Sequence, residues 1–123
     1  MKILFLGLGS IGQRHLQNAK KIFNESEFFA LRLKKKNLII KNTKIKKKTN
    51  LEKYYKIKVV YDYKSALKIE PNLTFICNPS SMHLMDAIRF AKIKSHLFIE
   101  KPLGRSKKQE KKLSNILKKN KLI

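Results

Sequence analysis

Apolar residues along this chain alternate between short unbroken runs and stretches spaced three or four apart, the pattern of strands interleaved with helices. The run Ile3-Leu4-Phe5-Leu6 predicts a first strand, and Leu16, Ala19 and Phe23 give a helix over 11–22 one buried stripe. Further strands are predicted at Phe28–Leu31, Lys58–Tyr61 and Leu73–Cys77, the last so uniformly apolar that both its faces should be covered. Asp62 is placed to cap a short helix whose apolar face is Tyr63, Ala66 and Leu67, and Pro71 stops that helix. Leu84, Ala87, Ile88 and Ala91 mark another helix, and His96–Ile99 a fifth strand. Ser106 with Gln109 fits a capping box before a last helix carrying Leu113, Ile116 and Leu117. Lys121-Leu122-Ile123 then reads as a strand cut short. Residues 34–58 are expected to form a long exposed loop with a short helix near Leu51–Tyr55.

Such alternation builds βαβ units. The expected fold is therefore α/β, a doubly wound parallel sheet of Rossmann type, in one domain over residues 1–123. A chain of this size buries roughly two thirds of its unfolded surface, enough for an independent core.

Charge changes the picture only locally. The net charge is +22, and it is concentrated: residues 32–58 hold twelve Lys and Arg against one acid, and residues 105–123 eight against one. The stretches that supply the core are nearly neutral. Lysine dominates the excess, and no basic strand carries interleaved aromatics for stacking bases. The runs read as solvated surface, so nucleic acid is not the expected partner, and binding of an anionic polymer is the alternative. Cys77 is the only cysteine, which excludes an intramolecular disulfide and fits a reducing compartment; within its apolar run it reads as a small buried hydrophobe. No apolar stretch approaches the roughly 20 residues of a membrane helix, and the glycines after Leu6 do not fit a signal peptide. A cytoplasmic protein is expected, with no metal site.

Candidate chemistry sits at three predicted strand ends. Gly7-Leu8-Gly9-Ser10-Ile11-Gly12 is a GxGxxG directly between a strand and a helix, the context that a dinucleotide fingerprint requires. Gly7 would make the tight turn, Gly9 would let backbone amides approach a pyrophosphate, and Gly12 would let helix and strand pack closely. Ser10 and Ile11 would bring first-turn N–H groups to the phosphates at the positive end of the helix dipole. Asn78-Pro79-Ser80 follows the fourth strand, with His83 beyond it, and Glu100-Lys101-Pro102 follows the fifth. In an open α/β sheet ligands bind at this edge, so all three should face one crevice.

Together, the Gly7 to Gly12 turn with His15 three beyond it, Asn78-Pro79 with His83 four after the proline, and Glu100-Lys101-Pro102 resemble the Gfo/Idh/MocA oxidoreductases. That is the family of glucose-fructose oxidoreductase and inositol dehydrogenase. The resemblance implies a domain that holds NAD or NADP and takes part in hydride transfer between the nicotinamide and a sugar-like or cyclitol hydroxyl. It implies that Lys101 lies near nicotinamide and substrate and acts catalytically, stabilising a developing alkoxide or joining a proton relay. Pro102 would carry a cis peptide, Glu100 would orient Lys101 by an ion pair or serve as a plain strand-end carboxylate, and His83 would border the cofactor or bond to neighbouring backbone. His15, on the first helix near the glycine turn, is expected to be a packed histidine bonded to backbone.

Family members have two domains, and the second-domain Asp and His that bind substrate and move its proton have no counterpart here. The chain is therefore expected to be a truncated or separate half, inactive alone unless another chain or a second copy completes the pocket; a non-catalytic dinucleotide-binding domain is the alternative. NAD-specific Rossmann domains place an acid at the end of the second strand, whereas Arg stands where a 2′-phosphate is accommodated. Arg32 occupies that region, with no acid between Glu27 and Glu52, so the expectation leans to NADP.

Overall fold

The computed structural model describes residues 1–33, 39–41, 44–46 and 50–123, and the side chains of 34–49 lie outside that description. In chain order the elements are β1 (Lys2–Leu6), α1 (Ser10–Ile22), β2 (Glu27–Leu31), β3 (Ile39–Lys41), β4 (Lys44–Lys46), α2 (Leu51–Tyr55), β5 (Lys58–Val60), α3 (Tyr63–Lys68), β6 (Leu73–Ile76), α4 (Ser80–Lys92), β7 (His96–Ile99) and α5 (Lys107–Asn120). Five strands form one parallel sheet in the order β5-β2-β1-β6-β7. The chain winds outward from β1 in one direction and returns to start the other half at β6. The reversal falls between β1 and β6, where an open α/β sheet leaves a crevice at its carboxyl edge.

Each strand serves both faces because successive side chains point opposite ways. Ile3 and Phe5 of β1 join Leu16, Ala19, Phe28, Ala30, Leu51 and Tyr55 under α1 and α2. Leu4 and Leu6 join Leu31, Ala66, Ile76, Leu84, Phe90 and Leu113 under α3, α4 and α5. Full burial of each Leu, Ile or Phe is worth about 1.5–3 kcal/mol, so β1, with four fully buried side chains, anchors both layers.

Local signals place the helices as expected. The Asp62 carboxylate accepts from Ser65 N–H at 2.7 Å and Ser106 Oγ from Gln109 N–H at 3.3 Å, so both read caps form. Asn50, not singled out in the sequence, caps α2 by accepting from Glu52 and Lys53 N–H.

Two expectations need correction. Within residues 34–58 an antiparallel pair forms between β3 and β4, with Ile40 opposite Ile45, where only a loop and a helix were expected. The helix at Leu51–Tyr55 does form, and the rest of the expected loop, residues 34–38, 42–43 and 47–49, lies outside the described residues. Lys121–Ile123 does not start a strand: the last turn of α5 closes through Leu122 N–H to Leu117 carbonyl, which leaves only Ile123, whose carbonyl accepts from Leu97 N–H at 2.8 Å.

Candidate functional site

The ladder continues one residue past the ends of β1, β2, β6 and β7, and this lines up the site. Gly7 N–H donates to the Leu31 carbonyl, Arg32 N–H to Val60, Cys77 N–H to Leu6 and Glu100 N–H to Ile76. Gly7, Arg32, Cys77 and Glu100 therefore stand side by side along the carboxyl edge. Over this edge opens a cavity of about 650 Å³, within the range of small-molecule sites, lined by Gly7, Gly9, Arg32, Leu33, Asn78 and Pro79 among others.

The three glycines of the turn do different work. Gly7 has φ +89°, a left-handed conformation that glycine adopts without a steric penalty, and a β-carbon there would also press on Asn78 backbone at 2.9 Å. A β-carbon on Gly12 would collide with the Gly7 carbonyl oxygen, so the first turn of α1 can close on the strand only without one. Gly9 is the reverse case: a β-carbon there would meet nothing within 4 Å. The space above Gly9 belongs to the cavity. Gly9 is also the N-cap of α1, with no side-chain cap bond and no acid in the first turn, so the amides at Ser10 and Ile11 keep the unmatched positive end of the helix. Both residues are exposed beside the cavity.

Across the crevice, Asn78 is held by a network that the sequence did not reveal. Asp86, on α4 and 1% exposed, accepts from Asn78 Nδ2 at 2.6 Å and Tyr63 Oη at 2.9 Å on one oxygen, and from Arg89 at 2.5 Å on the other. The Arg89 guanidinium also lies over the Tyr63 ring, 4.2 Å from its centre. Burial, followed by the Asp86 charge, pushes the Tyr63 phenol up to about 12. With its amide nitrogen committed to Asp86, Asn78 leaves Oδ1 buried and without a partner among the described residues. Such an orphan acceptor is costly until a donor reaches it. Gln13, also fully buried in the cavity wall, donates to the Leu8 carbonyl and accepts from Tyr55 Oη.

The remaining expected residues lie around this cavity rather than in its lining. Ser80 is exposed at the start of α4. His83 is 2% exposed, with Nδ1 2.9 Å from the Pro102 carbonyl oxygen and Nε2 2.7 Å from that of Asn78. Both ring nitrogens thus face backbone carbonyls, the protonated one donating, and His83 sits between the turn after β6 and the turn after β7. The Lys101–Pro102 peptide is cis.

Glu100 does not pair with the Lys101 ammonium; its carboxylate accepts from His15 Nε2 at 2.5 Å and from Lys101 N–H at 3.1 Å. This also corrects the expectation that His15 bonds to backbone. Its partner is a side chain 85 residues away. The His15 bond, with the Lys101 N–H and nearby positive charge, holds the Glu100 carboxyl below the usual carboxylate range. Burial, then the Glu100 charge, drives the Cys77 thiol up to about 12, so that it behaves as a wall residue and not as a nucleophile. Lys101 itself is exposed at the end of β7, with β6 between its strand and β1. Among the described residues no group of three metal-ligating side chains gathers, and no helix is long and apolar enough to cross a membrane.

The chain matches the family described as "Oxidoreductase family, NAD-binding Rossmann fold" over residues 1–123. No curated protein matches the sequence. Among solved structures, the chain is similar to the WlbA dehydrogenase from Bordetella pertussis in complex with NADH and UDP-GlcNAcA, at TM-score 0.76 and 15% identity over 99% of this chain and 34% of that one. It is similar to myo-inositol 2-dehydrogenase from Lactobacillus plantarum at TM-score 0.76 and 20% identity, covering 98% and 33%. With UDP-N-acetylglucosamine 3-dehydrogenase GnnA from Acidithiobacillus ferrooxidans the TM-score is 0.74 at 19% identity, covering 100% and 36%. At these identities the likeness is one of fold. The chain spans about a third of the length of these structures.

Proposed function

The chain belongs to the Gfo/Idh/MocA oxidoreductase family, and from that premise we propose that it holds a nicotinamide dinucleotide along the β1–β6 crevice, with its pyrophosphate over Gly9. The observation that carries this reading is the uncapped, acid-free start of α1 opening onto a cavity that Gly9 leaves clear. Ser10 and Ile11 would supply amides to the phosphates. Asn78 and Pro79 would border the nicotinamide half, where the orphan Oδ1 of Asn78 offers an acceptor for a ligand hydroxyl or amide. The bound cofactor would supply the hydride acceptor or donor.

Lys101, at the same sheet edge, would place a positive charge where a substrate hydroxyl becomes an alkoxide, the role of an electrostatic catalyst. A sugar-like or cyclitol alcohol is the substrate class proposed, with the rest of its pocket coming from a further domain or another chain. Arg32 supports a preference for NADP. It lines the cavity at the end of β2, where an acid would hold the ribose hydroxyls of NAD.

The test is a titration with NADPH and with NADH, following nicotinamide fluorescence. NADPH is expected to bind about tenfold more tightly, the worth of one charge-assisted contact, and Arg32→Ala to remove most of that difference. An equal, salt-sensitive response to both, matched by plain polyphosphate, would reject specific recognition.

A further inference from the structure

We propose that His15 and Glu100 are positioning residues for Lys101, a link that fixes the lysine-bearing strand end relative to the phosphate-facing helix. The proposal rests on the role given to Lys101 above and deepens it. A single carboxylate makes both connections: one oxygen accepts from His15 on α1, the other from the backbone N–H of Lys101. Each end is anchored in turn. Glu100 N–H is part of the sheet ladder through the Ile76 carbonyl at 3.0 Å. The His15 ring lies 4.9 Å from that of Phe98 and 6.2 Å from that of Phe75, which itself stacks on Phe5 at 4.5 Å.

The pair also keeps Lys101 available. An ion pair between Glu100 and Lys101 would cancel the positive charge proposed for the alkoxide, and successive side chains leaving a strand, which point opposite ways, already disfavour it. His15 takes the carboxylate instead. Among the described residues the Lys101 ammonium has no ion-pair partner, while its backbone is held through Glu100. The side chains of His15 and Glu100 are 21% and 19% exposed, so their hydrogen bond is largely sheltered from competing water. Besides His15, the charge acting on the carboxylate is that of Lys101, and the nearby Cys77 thiol is neutral.

The experiment measures ¹⁵N relaxation at the Lys101 amide in the full chain, without ligand, for wild type, His15→Phe, Glu100→Ala and Glu100→Gln. His15→Phe keeps a ring beside Phe75 and Phe98 and removes the donor. Glu100→Gln keeps an acceptor for Lys101 N–H and a polar partner for His15. The Lys101 order parameter is expected near 0.85 in wild type and Glu100→Gln, and below about 0.6 in the other two, with the rest of β7 unchanged. Equal order in all four chains overturns the proposal. NADPH titration of the same samples separates the two readings: no binding by wild type with an ordered Lys101 defeats the dinucleotide reading alone, whereas binding with order unaltered by the substitutions defeats the link alone.

Discussion

The carbonyl oxygen of Gly7 occupies the space that a β-carbon on Gly12 would need. Strand β1 and helix α1 meet at that point, and the first turn of the helix is aimed at the cavity only because neither residue carries a side chain there. Gly12→Ala therefore forces a backbone shift. It is expected to cost about 1–3 kcal/mol, the usual penalty of overpacking, read as a lower midpoint in urea unfolding followed by circular dichroism.

Asp86 is the second structural dependency. Asp86→Ala strips a buried acceptor from Asn78, Tyr63 and Arg89 together. Breaking a buried pair costs about 3–5 kcal/mol, and the low end is expected because Arg89 is a third exposed and partly screened. The Tyr63 phenol, now near 12, should titrate closer to 10 in the variant, though burial still holds it up. Absorbance of tyrosinate against pH measures this.

Acid should weaken the fold in a stated window. Glu100 is held below 4.5 chiefly by His15, Glu27 below 4.5 chiefly by Lys58, and Asp62 below 3.8 chiefly by the Ser65 N–H. A carboxyl depressed in the folded state binds fewer protons there than in the unfolded chain. Its contribution is complete above the unfolded value and is lost as pH falls through the folded one. Each effect is small, since Glu27 and Asp62 are exposed and Glu100 is only partly buried, and every proton taken up adds to a net charge already at +22. Urea midpoints are expected to hold between about pH 7 and 5.5 and to fall below about pH 4.5.

How far the sequence disclosed this molecule depends on the range of the interaction concerned. Strand runs such as Leu73–Cys77 and stripes such as Leu84, Ala87 and Ala91 are local, and they fold as read. The β3–β4 pair escaped notice because lysines mask its alternation. Asp86 was invisible for a different reason: a charged residue beside an apolar stripe reads as solvated surface, and its donors Asn78 and Tyr63 come from other elements. His15 was placed near the glycine turn correctly, but nothing local could show that its partner is Glu100. Two of the turn's glycines were legible because their tasks are local: Gly7 takes the left-handed turn and Gly12 lets the helix close on the strand, while Gly9 faces open space.

The most direct test of the central claim uses Gly9, the one glycine of the turn whose β-carbon would touch nothing in the protein. Gly9→Val is expected to unfold cooperatively, with at most the roughly 1 kcal/mol cost of a poorer N-cap, and to lose NADPH binding by at least tenfold in a fluorescence titration at physiological salt. Affinity for NADPH equal to that of the wild type, in a variant that remains folded, would contradict the placement of the phosphates over this turn.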